Sequence, residues 1–305
     1  MTAKKRSKYE TNRRRLRGKG LSHLDIAILH FLWRWKLSTA SVLHAALTSS
    51  AKPSSFNKRL RKLCTNGFIE ADIEVAIGFH YWQLTDDGVG AIREGLREPT
   101  DLGFRSPSHN HDRLVQTACL KPWIEARAQL PQMFTDQEML KRKKDTWPSW
   151  VPNTDAHRPD AYINLPRGND AFPIAIEVEL FAKSASRYES IARFYEAERS
   201  IQKVIWFTHD EAVPRLFRKA LVAINHRSVN LHLFVTLNDF IQDGFSVSPE
   251  NEKAVKSLAL SEIIGVPVGS QCGDNADNDG VISKTSVFTD NRKFLKTART
   301  YYREQ

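Results

Sequence analysis

Three acidic residues and one lysine in the middle of the chain have the types and spacing needed for chemistry. Asp160 precedes a short apolar run, and Glu177 and Glu179 alternate with apolar residues in a second run. Lys183 follows four residues after Glu179. Carboxylate oxygens on rigid elements suit a hard divalent cation, which can polarise a phosphodiester oxygen or lower the pKa of an attacking water. These residues therefore predict a Mg²⁺ or Mn²⁺ site formed by Asp160, Glu177 and Glu179.

Two short strands joined by a turn would position these side chains. Residues 161–165 and 173–181 are apolar or β-branched runs, separated by the turn-forming cluster at residues 166–170. Because side chains alternate along a strand, Glu177 and Glu179 would share one face, with Asp160 across the hairpin. The alternative interpretation is an ordinary solvated strand face, since such faces often carry glutamate.

This stretch resembles the PD-(D/E)xK nuclease superfamily. The residues that carry the resemblance are R-P-D-A at 158–161, E-V-E-L at 177–180 and S-R-Y-E-S-I-A-R-F-Y at 186–195. Within the superfamily they are most similar to the plasmid replication-relaxation family and the related MobC-type relaxases. The resemblance implies an α/β restriction-endonuclease-like domain with a mixed central sheet, and metal-dependent cleavage of one DNA strand.

The resemblance also assigns roles to individual residues. Glu179 occupies the position of the family lysine, so Lys183 would replace that lysine only by folding back towards the site. Glu179 would then be a third metal ligand or activate water, while Lys183 or Arg158 would stabilise charge on the phosphate. His111 matches a histidine that opens the first helix of the nuclease-like domain, where it would orient a phosphate or cap the helix. Three tyrosines, none favoured by spacing, are candidates for a covalent link to DNA: Tyr162, Tyr188 and Tyr195.

Composition places the protein among globular proteins. The chain has 305 residues, 41% of them hydrophobic, which is enough for two domains. Neither a membrane-length apolar run nor the apolar region of a secretory signal is present in the sequence, so we expect a cytoplasmic protein without membrane partners. Cys64, Cys119 and Cys272 lack metal-ligand spacing, which predicts reduced thiols.

The positive charge is concentrated at the N-terminus. Residues 1–19 hold nine Lys or Arg and one Glu, whereas the whole chain has a net charge of +10. We predict that residues 1–20 form a disordered basic arm, in which Arg13, Arg14 and Arg15 are candidate phosphate contacts.

Residues 21–97 predict a winged helix-turn-helix, because three helical patterns are followed by a β-hairpin and a fourth helix. Ser22, Ser54 and Thr85 are the expected caps of the first, third and fourth helices, the last of which would end at Leu96. The third helix would be the recognition helix, and the turn at residues 77–78 would be the wing tip. The candidate DNA-binding residues of the third helix are Asn57, Lys58, Arg59, Arg61 and Lys62. The alternatives are a solvated basic face or a protein-binding winged helix.

The remaining boundaries follow from composition and periodicity. Residues 98–108 predict a linker, 109–245 the nuclease-like domain, with a helix interrupted or kinked at Pro122, and 246–305 a partly disordered C-terminal extension. Residues 133–140 are compatible with a strand or a short amphipathic piece. A basic cluster at residues 141–144 precedes Trp147 and Trp150, which predicts either contacts with single-stranded DNA or aromatic anchors of a loop. The predicted fold class is therefore α+β.

These predictions combine into one functional hypothesis with two alternatives. The hypothesis is a site-specific DNA-binding and nicking protein of a plasmid or mobile element, with double-stranded DNA at an origin-like site, and also single-stranded DNA, as its partners. A relaxosome or coupling protein would be a further partner by resemblance. The first alternative is a catalytically inactive replication or copy-control protein. The second is a restriction-type enzyme that cuts both strands, which requires a homodimer.

Overall fold

The computed structural model of the protein describes residues 20–48, 51–74, 79–93, 109–167, 169–224, 230–249 and 258–264. The predicted basic arm with Arg13, Arg14 and Arg15, the predicted wing tip at residues 77–78 and the predicted linker at 98–108 lie outside these ranges, apart from Gly20. In the described ranges, every helix is too short or too polar to cross a membrane.

Three helices open the described chain. They are α1 (His23–Trp35), α2 (Ala40–Leu47) and α3 (Pro53–Thr65), with the two-residue strand β1 (Leu37–Ser38) between the first two. Ser22 and Asp25 form a capping box at the start of α1, as predicted, and Thr39 caps α2. The capping prediction for Ser54 is wrong, because Lys52 is at the N-cap position and α3 begins at Pro53, whose fixed φ suits the first helical position.

A β-hairpin and a fourth helix follow α3. The hairpin strands are β2 (Ile69–Glu74) and β3 (Phe79–Leu84), and they form an antiparallel sheet in the order β1-β3-β2. Helix α4 (Asp86–Ile92) is capped by Thr85, as predicted. Together, α1 to α4 and β1 to β3 are called the N-terminal module below.

A long central helix, α5 (His109–Glu125), separates the N-terminal module from the rest of the chain. Every residue of α5 from Asp112 to Trp123 is buried, so the helix is enclosed on all sides. It runs on through Pro122, and the predicted interruption at this residue is wrong.

A five-stranded mixed sheet forms the second half of the fold, as the α+β prediction requires. Its first three strands are antiparallel and its last three are parallel, in sequence order across the sheet. The strands are β4 (Gln132–Thr135), β5 (Ala161–Asn164), β6 (Pro173–Glu179), β7 (Lys203–Thr208) and β8 (His232–Thr236). Residues 133–140 combine both expected alternatives, since β4 leads directly into the short helix α6 (Asp136–Lys141).

Helices cover both faces of this sheet. On one face, α7 (Ala185–Ala197) and α8 (Ala212–Ala223) pack against a core that includes Ala175 and Trp206. On the other face, α5, α9 (Leu237–Asp243) and α10 (Leu260–Ile264) pack against residues that include Ile176 and Val178. Val247 and Leu260 are buried in this second core, so it continues past residue 245, the predicted domain end.

The N-terminal module is joined to the sheet by a shared apolar core and by buried charges. One cluster of buried side chains extends from α1 and α3 through α5 to the sheet. Beside it, Lys36 Nζ lies 3.0 Å from Asp112 Oδ1 and 2.8 Å from Asp136 Oδ2, and Arg34 Nε lies 3.0 Å from Glu138 Oε2. These five residues are called the junction cluster below. The two predicted domains therefore meet over a continuous interior.

Candidate functional site

Glu177 and Glu179 lie at the carboxyl end of β6, on the sheet face covered by α7 and α8. Ala175, two residues earlier on β6, belongs to the core of that face, whereas Ile176 and Val178 belong to the opposite core. Glu177 is 3% exposed and Glu179 is 5% exposed. A solvated strand face, the alternative interpretation of these residues, is therefore wrong.

Glu177 is held by two neighbours inside the core. The Tyr195 hydroxyl donates a hydrogen bond of 2.5 Å to Glu177 Oε1, and His157 Nε2 lies 2.5 Å from the same oxygen. Burial raises the pKa of Tyr195 well above its ordinary value, and the Glu177 charge acts in the same direction, so this hydroxyl stays protonated. His157 directly precedes the R-P-D-A motif, but its contact with Glu177 was not predicted.

Glu179 has a partner that solvent can reach. Lys183, in the segment between β6 and α7, forms an ion pair with Glu179, and the Lys183 side chain is 40% exposed. Burial raises the pKa of Glu179 to about 7; the Lys183 charge opposes this rise, while the charges of Glu177 and Asp160 add to it. Near neutral pH, Glu179 can therefore take up or release a proton.

Asp160 lies at the edge of the same site and is fixed by the backbone of β6. Its Oδ2 accepts a 2.7 Å hydrogen bond from the Val178 N–H. His111, on α5, donates from Nε2 to the Val178 carbonyl at 3.1 Å and lies 3.5 Å from Asp160 Oδ1. Burial lowers the pKa of His111, but the Asp160 and Asp112 carboxylates outweigh it and raise this pKa to about 11. His111 is thus a cation beside Asp160.

The donor chemistry fits a hard divalent cation, since the three predicted ligands all supply carboxylate oxygens. In the described ranges, no group of three or more His, Cys, Asp or Glu side chains is arranged to hold a metal ion. Each carboxylate instead contacts a neighbour of its own, as described above. One buried oxygen nearby, Thr208 Oγ1, has no hydrogen-bond partner among the described residues. Metal binding by Asp160, Glu177 and Glu179 stays a prediction, and it requires Lys183 to move away from Glu179.

The predicted DNA-binding residues of α3 fall into two groups. Asn57, Lys58, Arg61 and Lys62 are exposed. Arg59 Nη1 instead lies 2.8 Å from Asp25 Oδ1 and 2.7 Å from Ser22 Oγ. This guanidinium fastens α3 to the start of α1, and the DNA contact of Arg59 stays a prediction. Arg158 is exposed, two residues before Asp160.

The second basic cluster is engaged within the protein. Arg142 Nη2 lies 2.9 Å from Glu138 Oε1, and Lys144 forms an ion pair with Asp155. Trp147 and Trp150 are partly buried against the core of the α7 and α8 face. Of the two interpretations of this segment, these contacts favour aromatic anchors of a loop.

The three candidate tyrosines for a covalent link to DNA are all enclosed in the core. Tyr162 and Tyr195 are 1% exposed, and Tyr188 is 0% exposed. Their hydroxyl groups cannot reach a DNA backbone without unfolding of α7 or the sheet. The structure therefore assigns these tyrosines to packing.

Comparison with solved structures gives a distant likeness. No protein-family model and no curated protein matches the chain. Two solved structures of the restriction endonuclease FokI are similar to it, with 9% identity for the free protein and 11% for the DNA-bound protein. They cover 71% and 78% of this chain, and it spans 42% and 46% of theirs. The TM-score is 0.25 in both cases, too low to assign a fold.

Proposed function

We propose that the protein binds DNA at a specific site and nicks one strand there in a metal-dependent reaction, as part of a plasmid or another mobile element. One observation supports this proposal: Glu177 and Glu179 lie buried on one face at the end of β6, and Asp160 is hydrogen-bonded to Val178 between them. Buried carboxylates destabilise a fold, and such groups concentrate at functional sites. Their exposed neighbours Arg158 and Lys183 are cations suited to a phosphate.

Asp160, Glu177 and Glu179, with their neighbours His111, Arg158 and Lys183, are called the candidate centre below. Their proposed roles differ because their environments differ. Glu179 has a pKa of about 7, so it can accept a proton from an attacking water. Lys183 and Arg158 would stabilise the charge that develops on the phosphate, and the His111 cation keeps Asp160 in place. A Mg²⁺ or Mn²⁺ ion held by Asp160 and Glu177, with Glu179 as a third ligand if it does not act as the base, would polarise the phosphate oxygen.

We assign the N-terminal module as a winged helix with α3 as its recognition helix. The element order α1-β1-α2-α3-β2-β3 supports this assignment. The exposed side chains of Asn57, Lys58, Arg61 and Lys62 would contact phosphates and base edges in the major groove of double-stranded DNA.

A second candidate function is a replication or copy-control protein that binds DNA without cutting it. It is favoured by the partners of the carboxylates, because His157, Tyr195 and Lys183 already satisfy Glu177 and Glu179. In that case the carboxylates and their partners would only stabilise the carboxyl end of β6.

A plasmid relaxation assay separates these functions. The purified protein is incubated with Mg²⁺ or Mn²⁺ and a supercoiled plasmid that carries the DNA flanking the gene of this protein. We expect relaxed circles. A gel shift without any cleavage would support the binding protein, and linear product would support the double-strand enzyme acting as a homodimer.

The Glu179→Ala variant tests the centre itself. We expect loss of relaxation with an unchanged gel shift, because Glu179 belongs to β6 of the sheet, whereas the candidate DNA contacts belong to α3 of the N-terminal module. Glu211→Ala, which removes an exposed glutamate at the start of α8, is the matched control and should relax plasmid like the wild type. Relaxation by Glu179→Ala at the wild-type rate would show that the centre is wrongly assigned.

A further inference from the structure

Thr208, the last residue of β7, lies directly beside Glu179. The two residues are partners in the parallel register of β6 and β7. Register partners on neighbouring strands project from the same face, and Trp206, two residues before Thr208, belongs to the core under α7 and α8. Thr208 therefore shares the face of Glu177 and Glu179.

The Thr208 hydroxyl is fully buried and lacks a partner. Its residue is 0% exposed, and Oγ1 has no hydrogen-bond partner among the described residues. The four preceding residues of β7 are all apolar and buried: Val204, Ile205, Trp206 and Phe207. A buried hydroxyl without a partner destabilises the fold, and valine would fill the same space without this cost.

Two other threonines of the sheet also lie at the end of a strand, and both cap the helix that follows. Thr135 ends β4, and its hydroxyl accepts from the Glu138 N–H to cap α6. Thr236 ends β8, and its hydroxyl accepts from the Asp239 N–H to cap α9. Thr208 also ends a strand that leads into a helix, but α8 has Glu211 at its N-cap position. Helix capping therefore explains the hydroxyl groups of Thr135 and Thr236 but not that of Thr208.

We propose that Thr208 is a positioning residue of the candidate centre, and that its hydroxyl hydrogen-bonds to a water molecule held beside Glu179. This inference rests on the proposed nicking function and adds a residue to it. The Thr208 hydroxyl would fix the direction of this water oxygen for attack on the phosphate.

The first test uses the stability of the full-length protein without metal or DNA. We expect Thr208→Val to unfold at a urea concentration equal to or higher than that of the wild type. Thr236→Val, the matched control, should unfold at a lower concentration because it loses a helix cap. Equal loss of stability in the two variants would show that Thr208 has a structural partner, and this would overturn the inference.

The second test uses plasmid relaxation with Mn²⁺. We expect Thr208→Val to lower kcat about tenfold, because a misdirected water reacts more slowly. Thr208→Ser, which keeps the hydroxyl, should restore most of the rate, and DNA affinity should be unchanged in both variants. An unchanged kcat in Thr208→Val would overturn the inference, although the centre would still be supported by Glu179→Ala.

A crystal structure of the full chain decides the case in which the wild type does not nick DNA. An ordered water within about 3 Å of Thr208 Oγ1, bridged to Glu179, would support the inference independently of activity. A hydroxyl without a bound water would overturn it. In either case the failure to nick counts against the proposed function alone.

Discussion

The junction cluster and the carboxylates at the end of β6 are both buried, but their charges are satisfied differently. In the junction cluster, Asp112 and Asp136 share the ammonium of Lys36, and Glu138 contacts the guanidinium groups of Arg34 and Arg142. At the end of β6, Glu177 relies on a tyrosine hydroxyl and a histidine, and Glu179 relies on the half-exposed Lys183. The first arrangement fastens two parts of the protein together. In the second arrangement, Lys183 can move away from Glu179 because its side chain is partly exposed.

The pKa values follow the same division. Burial lowers the pKa of Lys36, but the charges of Asp136 and Asp112 outweigh it, so this lysine stays charged over the physiological range. Glu179, by contrast, has its pKa raised to about 7, mainly by burial. A buried cation between two acids thus makes a permanent contact, and a buried acid with a mobile cation makes a group that exchanges protons.

The Lys36→Met variant should have the largest effect on stability. Methionine preserves the length of the side chain but leaves Asp112 and Asp136 without their shared cation in the interior. Removing one partner of a buried pair costs about 3–5 kcal/mol, so we expect the free energy of unfolding to fall by that amount. Urea denaturation monitored by tryptophan fluorescence measures it.

Lys144→Met is the control for this prediction. Lys144 also forms an ion pair, but its side chain is 39% exposed and that of Asp155 is 89% exposed. Water screens such a pair, so the variant should unfold like the wild type. Equal losses in the two lysine variants would mean that the junction cluster does not depend on burial.

The Glu177→Ala variant should have the next largest effect. It leaves the Tyr195 hydroxyl and His157 without their shared acceptor, and we expect the free energy of unfolding to fall by about 3 kcal/mol. Glu177→Gln keeps the shape and an acceptor oxygen, so it should lose about 1 kcal/mol. The comparison uses urea denaturation without metal. A larger loss in the glutamine variant would contradict the assigned contacts.

The pH dependence of stability tests the environment of Glu179. Its pKa is raised from 4.5 to about 7, so the folded protein binds this proton more tightly than the unfolded chain. The resulting stabilisation is complete below about pH 4.5 and is lost as the pH rises through 7. We expect the wild type to lose about 3 kcal/mol relative to Glu179→Gln across this range. Parallel pH profiles of the two proteins would contradict the raised pKa.

The smallest predicted effect concerns the salt dependence of DNA binding. Lys58→Ala and Arg61→Ala should each reduce the slope of log Kd against log salt by about 0.9, since each removes one phosphate contact. Arg59→Met should change the slope less, because Asp25 already holds the Arg59 guanidinium. Fluorescence anisotropy with double-stranded DNA measures the slopes. A full loss in Arg59→Met would show that Arg59 leaves Asp25 to bind DNA.

Features that depend on neighbouring residues were predictable from the sequence. The capping box of Ser22 and Asp25, the buried stripe of Phe56, Leu60 and Leu63, and the strands around Glu177 follow from local spacing. The contacts of Lys36 could not be predicted, because its partners lie 76 and 100 residues away in the chain. The same reason explains why the partners of Arg59 were missed, and why Thr208 could not be distinguished from a capping threonine.

The continuous apolar core between α1, α5 and the sheet has a consequence for how such a protein can change over evolutionary time. The N-terminal module and the five-stranded sheet cannot be inherited separately, because either one alone would expose its part of the apolar core to water. New combinations would have to arise by altering the surface residues of α3 while the shared interior is retained. Chimeras that join this α1–α4 portion to a different partner should therefore fail to fold unless α5 is transferred with it.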